Sequence, residues 1–315
     1  MVTARRQGIG CHGSRAAEPG TGPRPRTRPT LISVILPVFN GAAHIDAQLA
    51  ALAAQDYADR WELLIVDNGC TDDSIAIARR WTDRLPQLII IDARAHKSIN
   101  HARTAGVAAA DGDFLAFCDA DDVVSPQWLS SLSEAAPDAD LVGGRVEVEA
   151  LNDLEQRAWQ PSAPLTGLNS GYGFLPYVSG GNCGMWADVA HEVGWDQSFG
   201  FGASDIEFAW RAQLSGFRAV FEPRAVIRLR YRKRMLAMAR QYFRYGVSEP
   251  HLFREFRGLG MPRRDVREAL QTWAWLLRYV SHTLRGRDAR GYWLRVAASN
   301  TGRVCGSLRW RVLYL

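Results

Sequence analysis

The sequence has few cysteines, and no two of them are spaced as a metal or redox pair. No Cys-x-x-Cys pair or Cys/His cluster occurs in the 315 residues, and the five cysteines are scattered: Cys11, Cys70, Cys118, Cys183 and Cys305. Structural zinc sites use closely spaced Cys and His ligands, and disulfide frameworks belong to oxidising compartments. We therefore expect neither, and a reducing cytoplasm fits the chain better than secretion.

Long apolar segments are also lacking. No run approaches the roughly 18 apolar residues that indicate a membrane-spanning helix. Residues 1–30 are rich in Arg, Gly and Pro and lack the apolar core of a secretory signal peptide. This composition predicts a disordered basic tail. We expect a cytoplasmic protein, with peripheral contact at the inner face of a membrane as an open alternative.

Charge is distributed unevenly along the chain. The net charge is +5, but residues 31–227 carry 12 basic and 27 acidic side chains, whereas residues 228–315 carry 20 basic and five acidic ones. A basic block of this kind indicates an anionic partner such as lipid head groups or an acidic polymer. Because no nucleic-acid recognition motif accompanies the charge, we do not expect nucleic-acid binding.

The basic block contains three amphipathic segments in which Arg alternates with Trp, Leu and Tyr: Lys233–Tyr245, Asp265–Leu284 and Tyr292–Leu315. Such segments are typical of interfacial helices on an anionic membrane. They fit equally well a helical subdomain whose aromatic side chains pack on the rest of the protein. Both interpretations stay open at this point.

The segment after the tail alternates apolar runs with helical periodicity. Four β-branched or aromatic runs read as buried parallel strands, at residues 31–39, 61–67, 87–92 and 113–118. Helical patterns at residues 45–55, 74–82 and 99–110 separate them. This order predicts an α/β fold with a mostly parallel, doubly wound sheet. We therefore divide the chain into a tail (1–30), an α/β domain (31–227) and a basic helical extension (228–315).

Polar residues follow several of these predicted strands. Asn40, Asp67 and the pair Asp119 and Asp121 stand at the carboxyl ends, where doubly wound sheets bind ligands. Carboxylates two residues apart suit a hard divalent cation, and Asp67 suits a base N–H or a ribose hydroxyl. The plainer interpretations are an acidic helix-capping turn and an Asx-turn.

A further acidic pair, Asp205 and Glu207, opens a predicted helix over Asp205–Leu214. One of these carboxylates could take the proton from an attacking hydroxyl group. The alternative is that both stabilise the positive end of the helix dipole.

Taken together, these motifs resemble those of the family-2 glycosyltransferases, over about residues 31–227. The matching segments occur in the family's order: Pro37–Asn40, Glu62–Ser74, Ala102–Gly106, Ala110–Asp113, Phe117–Asp122, Ser179–Asn182, Val193–Asp196, Ser204–Arg211 and Ser215–Phe217. The resemblance implies a GT-A fold and a single inverting displacement from a nucleotide-diphosphate sugar, with UDP favoured. It also implies a Mn²⁺ or Mg²⁺ cofactor and a saccharide, lipid-linked or small-molecule acceptor, as in cell-envelope polysaccharide or glycolipid synthesis.

The resemblance also assigns roles to individual residues. Asp205 would be the catalytic base, and Asp119 and Asp121 would hold the metal ion. The residues assigned to the nucleotide are Pro37, Asn40, Asp67, Arg103 and Asp119, although Arg103 could equally be a structural helix residue.

Three positions depart from the family pattern. Cys70 stands where Ser is usual, Thr104 where Asn is usual, and Ser204 where Glu is usual. The Gln-x-x-Arg-Trp motif of processive members does not follow Asp205, so we expect transfer of a single sugar. Two alternatives remain: a non-catalytic carbohydrate-binding protein on the same fold, and a sugar nucleotidyltransferase. The latter expects a Gly-rich basic loop after the first strand, which Asn40 and Gly41 do not provide.

Overall fold

A computed structural model describes residues 25–85, 87–162, 166–200 and 202–315. The first half of the chain alternates strands and helices in the predicted order. The elements are β1 (Ile32–Val38), α1 (Ile45–Ala53), β2 (Trp61–Asp67), α2 (Ser74–Arg79), β3 (Leu88–Asp92), α3 (Ile99–Ala109) and β4 (Phe114–Cys118).

The second half is less regular and ends in three helices. Its elements are β5 (Val123–Val124), α4 (Trp128–Ala135), β6 (Leu141–Glu147), α5 (Leu154–Trp159), β7 (Asn182–Trp186), α6 (Ala187–Val193), α7 (Ser204–Leu214), β8 (Ala219–Arg228), α8 (Met235–Phe256), α9 (Val266–Arg278) and α10 (Arg287–Trp310). Short 3-10 turns span Ala136–Asp138, Gln197–Phe199, Arg257–Leu259 and Val280–Leu284.

The strands form one mixed sheet in the order β3-β2-β1-β4-β7-β6-β8-β5. The first four are mutually parallel, as predicted. β7 runs antiparallel to both of its neighbours, β4 and β6, whereas β6 and β8 are parallel. The α/β prediction is confirmed. Its parallel part follows from apolar runs that are buried on both faces, such as β1, in which all seven residues are buried.

Helix α3 packs very closely on the centre of the sheet. A Cβ atom at Gly106 would lie 2.5 Å from Cγ2 of Ile35, so any larger residue would push α3 away from β1. Arg103 lies one helical turn earlier on the same helix and is buried. The glycine contact therefore fixes how closely Arg103 approaches the carboxyl ends of the strands.

Helices α8 and α10 pack on the α/β domain. Trp210 of α7 forms an apolar cluster with Phe253 and Phe256 of α8. The imidazole of His251 stacks between Phe199 and Trp310, with ring centroids 3.9 and 3.7 Å away. Aromatic side chains of α8 and α10 thus pack against α7 and the turn that ends at Phe199. Within the described ranges, no helix combines the length and the hydropathy expected of a transmembrane segment.

The described end of the predicted disordered tail also contacts the domain. Arg26 forms ion pairs with Asp140, at 2.7 Å, and with Asp188, at 3.1 Å. The backbone N–H of Thr30 donates to both carboxylate oxygens of Asp113, at 3.0 Å. Residues 25–30 thus lie on the surface of the sheet domain, and residues 1–24 lie outside the described residues.

Candidate active site

The ends of β1 and β2 form one loop surface. The Oδ1 atom of Asp67 accepts hydrogen bonds from the backbone N–H groups of Gly69 and Cys70, at 3.1 and 2.8 Å. Asn40, with a φ of 52°, accepts a hydrogen bond from the Thr71 N–H at 2.8 Å. Pro37 is buried in β1 and pairs with Val66 in the strand register. Asp67 therefore makes the Asx-type turn of the plainer interpretation, and Asn40 joins the two strand ends.

The end of β4 carries Asp119 and Asp121 next to this loop surface. Gln48 of α1 holds their turn, because its Nε2 donates to the Asp119 carbonyl at 3.1 Å and its Oε1 accepts from the Val124 N–H at 3.0 Å. A Cβ atom at Gly41 would lie 3.5 Å from Cβ of Ala120. The two strand ends therefore touch, as the sheet topology predicted.

Negative charge is concentrated at this turn. Burial raises the pKa of Asp119, Arg103 opposes the increase, and the charges of Asp121 and Asp205 add to it. Burial, followed by the charges of Asp119 and Asp121, raises the pKa of Asp122 to about 8. A cation at this position would relieve the mutual repulsion of the carboxylates.

Asp205 reaches the same place from the first turn of α7. Its Oδ2 accepts a hydrogen bond from the Gly180 N–H at 3.0 Å. A Cβ atom at the next residue, Gly181, would lie 2.4 Å from Oδ2 of Asp119. The backbone of Gly180 and Gly181 thus lies between Asp205 and Asp119, and any side chain at position 181 would displace Asp119.

The second acidic residue of α7 has a different environment. Glu207 is buried and forms an ion pair with Arg211, and Arg211 Nη2 also donates to the Gly194 carbonyl at 2.6 Å. Burial raises the pKa of Glu207, and Arg211 opposes this. Of the two carboxylates considered from the sequence, Asp205 lines the cavity that also contains Asp119 and Asp121.

Arg103 contacts the loop that leads into α7. Its Nη1 donates to Oγ of Ser204 at 3.2 Å, and its Cζ lies 4.7 Å from the centroid of the Trp195 ring. Its Nε has no hydrogen-bond partner among the described residues. Ser204, one of the three positions that depart from the family pattern, therefore helps to orient a buried guanidinium.

A cavity of about 500 Å³ brings four of the predicted residues together. Arg103, Asp119, Asp121 and Asp205 line it. The other three predicted residues, Pro37, Asn40 and Asp67, are not in this lining and lie at the adjoining strand ends. The residues predicted to bind the nucleotide at β1 and β2 therefore lie outside the lining of the cavity that contains Asp205.

The same cavity has a wall of phenols and amides that the sequence analysis did not identify. Tyr172, Tyr177 and Tyr245 line it together with Gln241, whose Nε2 donates to the Tyr245 hydroxyl at 2.9 Å. Burial and then the charge of Asp205 raise the pKa of Tyr177. Gln241 and Tyr245 belong to α8, so residues from the basic extension complete the cavity. No local motif marks these positions.

Two arginines after β8 were also missed. Arg232 Nη1 donates to Oδ2 of Asp121 at 2.8 Å, and Arg230 Nε donates to the Asp121 carbonyl at 2.9 Å. The backbone N–H of Arg230 donates to Asp122 at 2.8 Å. The dense basic run from Arg228 to Arg234 was a usable signal, but its distance in sequence from Asp121 gave no reason to pair them.

The residues present fit a divalent cation that a substrate helps to hold. No group of three or more His, Cys, Asp or Glu side chains that could bind a metal ion occurs in the part of the chain that the structure describes. Asp119 and Asp121 supply two carboxylates at one strand end. Mg²⁺ is usually held by one or two carboxylates together with substrate phosphates. This donor set therefore suits a metal ion that binds together with a diphosphate.

Sequence comparisons identify a known family for this chain. A family model described as glycosyl transferase family 2 matches residues 33–194. Glycosyltransferase AglE of Haloferax volcanii is 29% identical over 195 residues, which cover 60% of this chain and 64% of AglE. Validoxylamine A glucosyltransferase of Streptomyces hygroscopicus subsp. jinggangensis is 32% identical over 106 residues, 33% of this chain and 25% of that protein. The chain thus matches less than two thirds of the length of each relative.

Solved structures with the same fold cover most of the chain. Mannosyltransferase PcManGT from Pyrobaculum calidifontis, in complex with GDP-Man and Mn²⁺, has a TM-score of 0.59 at 18% identity and covers 90% of this chain and 89% of its own. S. aureus TarS 1-349 in complex with UDP-GlcNAc has a TM-score of 0.52 at 18% identity, with 90% and 93% covered. At this identity the likeness shows the fold, which is GT-A. Because the glycosyl transferase family 2 model matches residues 33–194, which are half of the sequence, this chain belongs to that family.

Proposed function

We propose that this glycosyltransferase transfers a single sugar, with inversion, from a nucleotide-diphosphate sugar to an acceptor hydroxyl group. One observation carries the proposal: Asp205 lines the same cavity as Asp119 and Asp121, from which it is more than 80 residues distant in sequence. Residues 31–227 would form the transferase domain and residues 228–315 an extension. The extension also contributes to the cavity, through Gln241 and Tyr245.

In the proposed reaction Asp205 is the general base. Its carboxylate would take the proton of the acceptor hydroxyl while the oxygen attacks the anomeric carbon and the bond to the diphosphate breaks. The diphosphate would leave with the bonding electron pair. A single displacement of this kind inverts the anomeric configuration. The hydrogen bond from Gly180 supports the role, because it fixes the orientation of one carboxylate oxygen.

The donor would bind across the strand ends. Pro37, Asn40 and Asp67 would line the nucleotide pocket, with Arg103 and Asp119 toward the ribose and diphosphate. A Mn²⁺ or Mg²⁺ ion held by Asp119 and Asp121 would neutralise negative charge on the leaving diphosphate. Neighbours of the same fold are in complex with GDP-Man and UDP-GlcNAc, and we favour UDP for this chain.

The acceptor would be a saccharide, a lipid-linked saccharide or a small molecule. The wall of Tyr172, Tyr177 and Tyr245 supports this, because phenols combine an apolar ring with a hydroxyl that can donate to or accept from a sugar. The basic residues of 228–315 would place the enzyme at an anionic membrane surface, on the cytoplasmic side.

A thermal-shift panel tests the donor half of the proposal. UDP, GDP, dTDP and CMP are each added with and without Mn²⁺. A ligand that binds the folded state at 100 times its Kd stabilises it by about 2.7 kcal/mol. We expect one diphosphate to raise Tm in the presence of metal, and Asp121→Ala to abolish that shift. If no nucleotide shifts Tm under any condition, the proposal of a nucleotide-sugar donor fails.

A further inference from the structure

Helix α8 lies between the catalytic cavity and a second concave surface. Gln241 and Tyr245 line the cavity. The neighbouring positions Arg240, Phe243 and Arg244 line a groove between α8 and α10. Because an α-helix with its side chains is about 10–12 Å across, the groove lies roughly one helix width from the cavity that contains Asp205.

The groove is large and its floor is apolar. It encloses about 600 Å³, and α8 supplies Leu236, Ala239, Phe243 and Val247 to it while α10 supplies Ala298. Leu236 is 66% exposed and Phe243 36% exposed. Contiguous exposed apolar surface on a soluble protein commonly marks a binding site.

Three arginines lie along this apolar floor. Arg240 and Arg244 of α8 and Arg309 of α10 line the groove, and all three residues are exposed. Guanidinium groups match the geometry of phosphate oxygens. The groove thus offers an apolar surface and a cationic edge to the same ligand, which is the pattern that an anionic lipid requires.

The groove is preformed, because α8 and α10 touch along their backbones. A Cβ atom at Gly246 would lie 2.1 Å from the Ser299 carbonyl oxygen, and one at Gly302 would lie 2.2 Å from the Phe243 carbonyl oxygen. An ion pair between Arg303 and Glu249, at 2.5 Å, joins the helices beside these contacts. A ligand can therefore bind without the free-energy cost of separating the two helices.

We propose that this groove binds the hydrocarbon chain of an anionic lipid that carries the acceptor. The acceptor class rests on the proposed transferase function, because the lipid would enter the groove while its sugar reaches the cavity on the other side of α8. Two other possible occupants, a second copy of this chain and its N-terminal residues 1–24, fit the positive charge of the groove poorly. A second copy would bring two arginine edges together, and residues 1–24 contain four Arg and one Glu, the same sign as the groove.

Cys305 is a natural reporter, because it is exposed and lines the groove. Its rate of alkylation by iodoacetamide is measured by peptide mass spectrometry in the full chain, with the half-buried Cys70 as internal reference. We expect submicellar oleoyl-lysophosphatidylglycerol to slow alkylation of Cys305 at least fivefold and to leave Cys70 unchanged. Oleoyl-lysophosphatidylcholine should protect at concentrations at least tenfold higher, and glycerol 1-phosphate should not protect.

A pair of variants locates the site. Phe243→Gln should abolish the protection, whereas Leu214→Gln, at a 45% exposed leucine that ends α7, should retain it. Equal protection by both lysolipids, no protection, or full protection in Phe243→Gln each overturns the proposal. So does a lipid-independent dimer, seen by light scattering, in which Cys305 is already protected. The nucleotide thermal shift is measured on the same samples, so that loss of donor binding is distinguished from loss of the lipid site.

Discussion

Arg232 donates a hydrogen bond to Oδ2 of Asp121 at 2.8 Å, so the segment after β8 holds one of the two carboxylates proposed to bind metal. The pair is partly exposed, with 49% of the arginine side chain and 28% of the aspartate side chain accessible. A metal ion that binds Asp121 would have to displace this contact. Alternatively, a phosphate bound with the metal ion would accept the hydrogen bond of Arg232 in place of Asp121. The C-terminal segment is therefore coupled to the site that we propose for the donor.

Replacing Arg232 by Gln should lower the Mn²⁺ concentration needed for the nucleotide-dependent thermal shift. Partly exposed ion pairs contribute up to about 1 kcal/mol, which corresponds to a decrease of about two- to fivefold. The measurement is a Mn²⁺ titration at fixed nucleotide, with Lys233→Gln as the matched control. If Arg232→Gln instead requires more Mn²⁺, the arginine assists donor binding and the competition inferred here is wrong.

Asp205→Asn should abolish most of the catalysis while leaving donor binding intact. General-base catalysis contributes about 10²–10⁴-fold, so kcat for release of the nucleoside diphosphate should fall within that range. The metal-dependent thermal shift should be unchanged. Asp288→Asn, at an acidic position in the first turn of α10, is the control and should keep full activity. Retention of more than about a tenth of the activity in Asp205→Asn would rule out its role as the base.

His251 should make the protein less stable in acid. Burial lowers its pKa to about 4, whereas an unfolded histidine has a value near 6.5. Between these values the unfolded chain binds the proton more tightly, so stability is full above about pH 6.5 and falls as the pH decreases toward 4. The loss between pH 7 and pH 5 should be about 2 kcal/mol.

Urea unfolding at several pH values measures this effect. His251→Phe keeps an aromatic ring between Phe199 and Trp310 but cannot titrate, so its stability should depend less on pH than that of the wild type. The nearby charges of Asp196, Arg254, Glu255 and Arg309 are the same in both proteins. Identical pH profiles for the two proteins would exclude His251 as the source.

Gly302→Ala should force α10 away from α8. Its added Cβ would lie 2.2 Å from the Phe243 carbonyl oxygen, which belongs to helix backbone and cannot move alone. Overpacking of this kind costs about 1–3 kcal/mol. Gly258→Ala is the control, since a Cβ there has no neighbouring atom within 4 Å. Equal Tm values for the two variants would contradict the close contact between these helices.

Local residue patterns were sufficient to predict the parallel half of the sheet and the edge at which its polar residues lie. Strands β1, β2 and β4 are continuous apolar runs because both of their faces are buried, and this pattern is visible locally. The polar residues that end them, Asn40, Asp67 and Asp119, therefore fell at one edge. The prediction of a family-2 glycosyltransferase with a GT-A fold is confirmed, whereas the assigned roles of individual site residues stay predictions.

Contacts between residues that are distant in sequence became apparent only in the folded structure. The antiparallel insertion of β7 places Gly181 beside Asp119, and helix packing brings Tyr245 into the cavity of Asp205. The pairing of Arg232 with Asp121 spans 111 residues. Local propensity carries no information on such contacts, because they form only when the surfaces of separate elements are packed together. The groove between α8 and α10 has the same origin, since each helix alone presents only an amphipathic pattern.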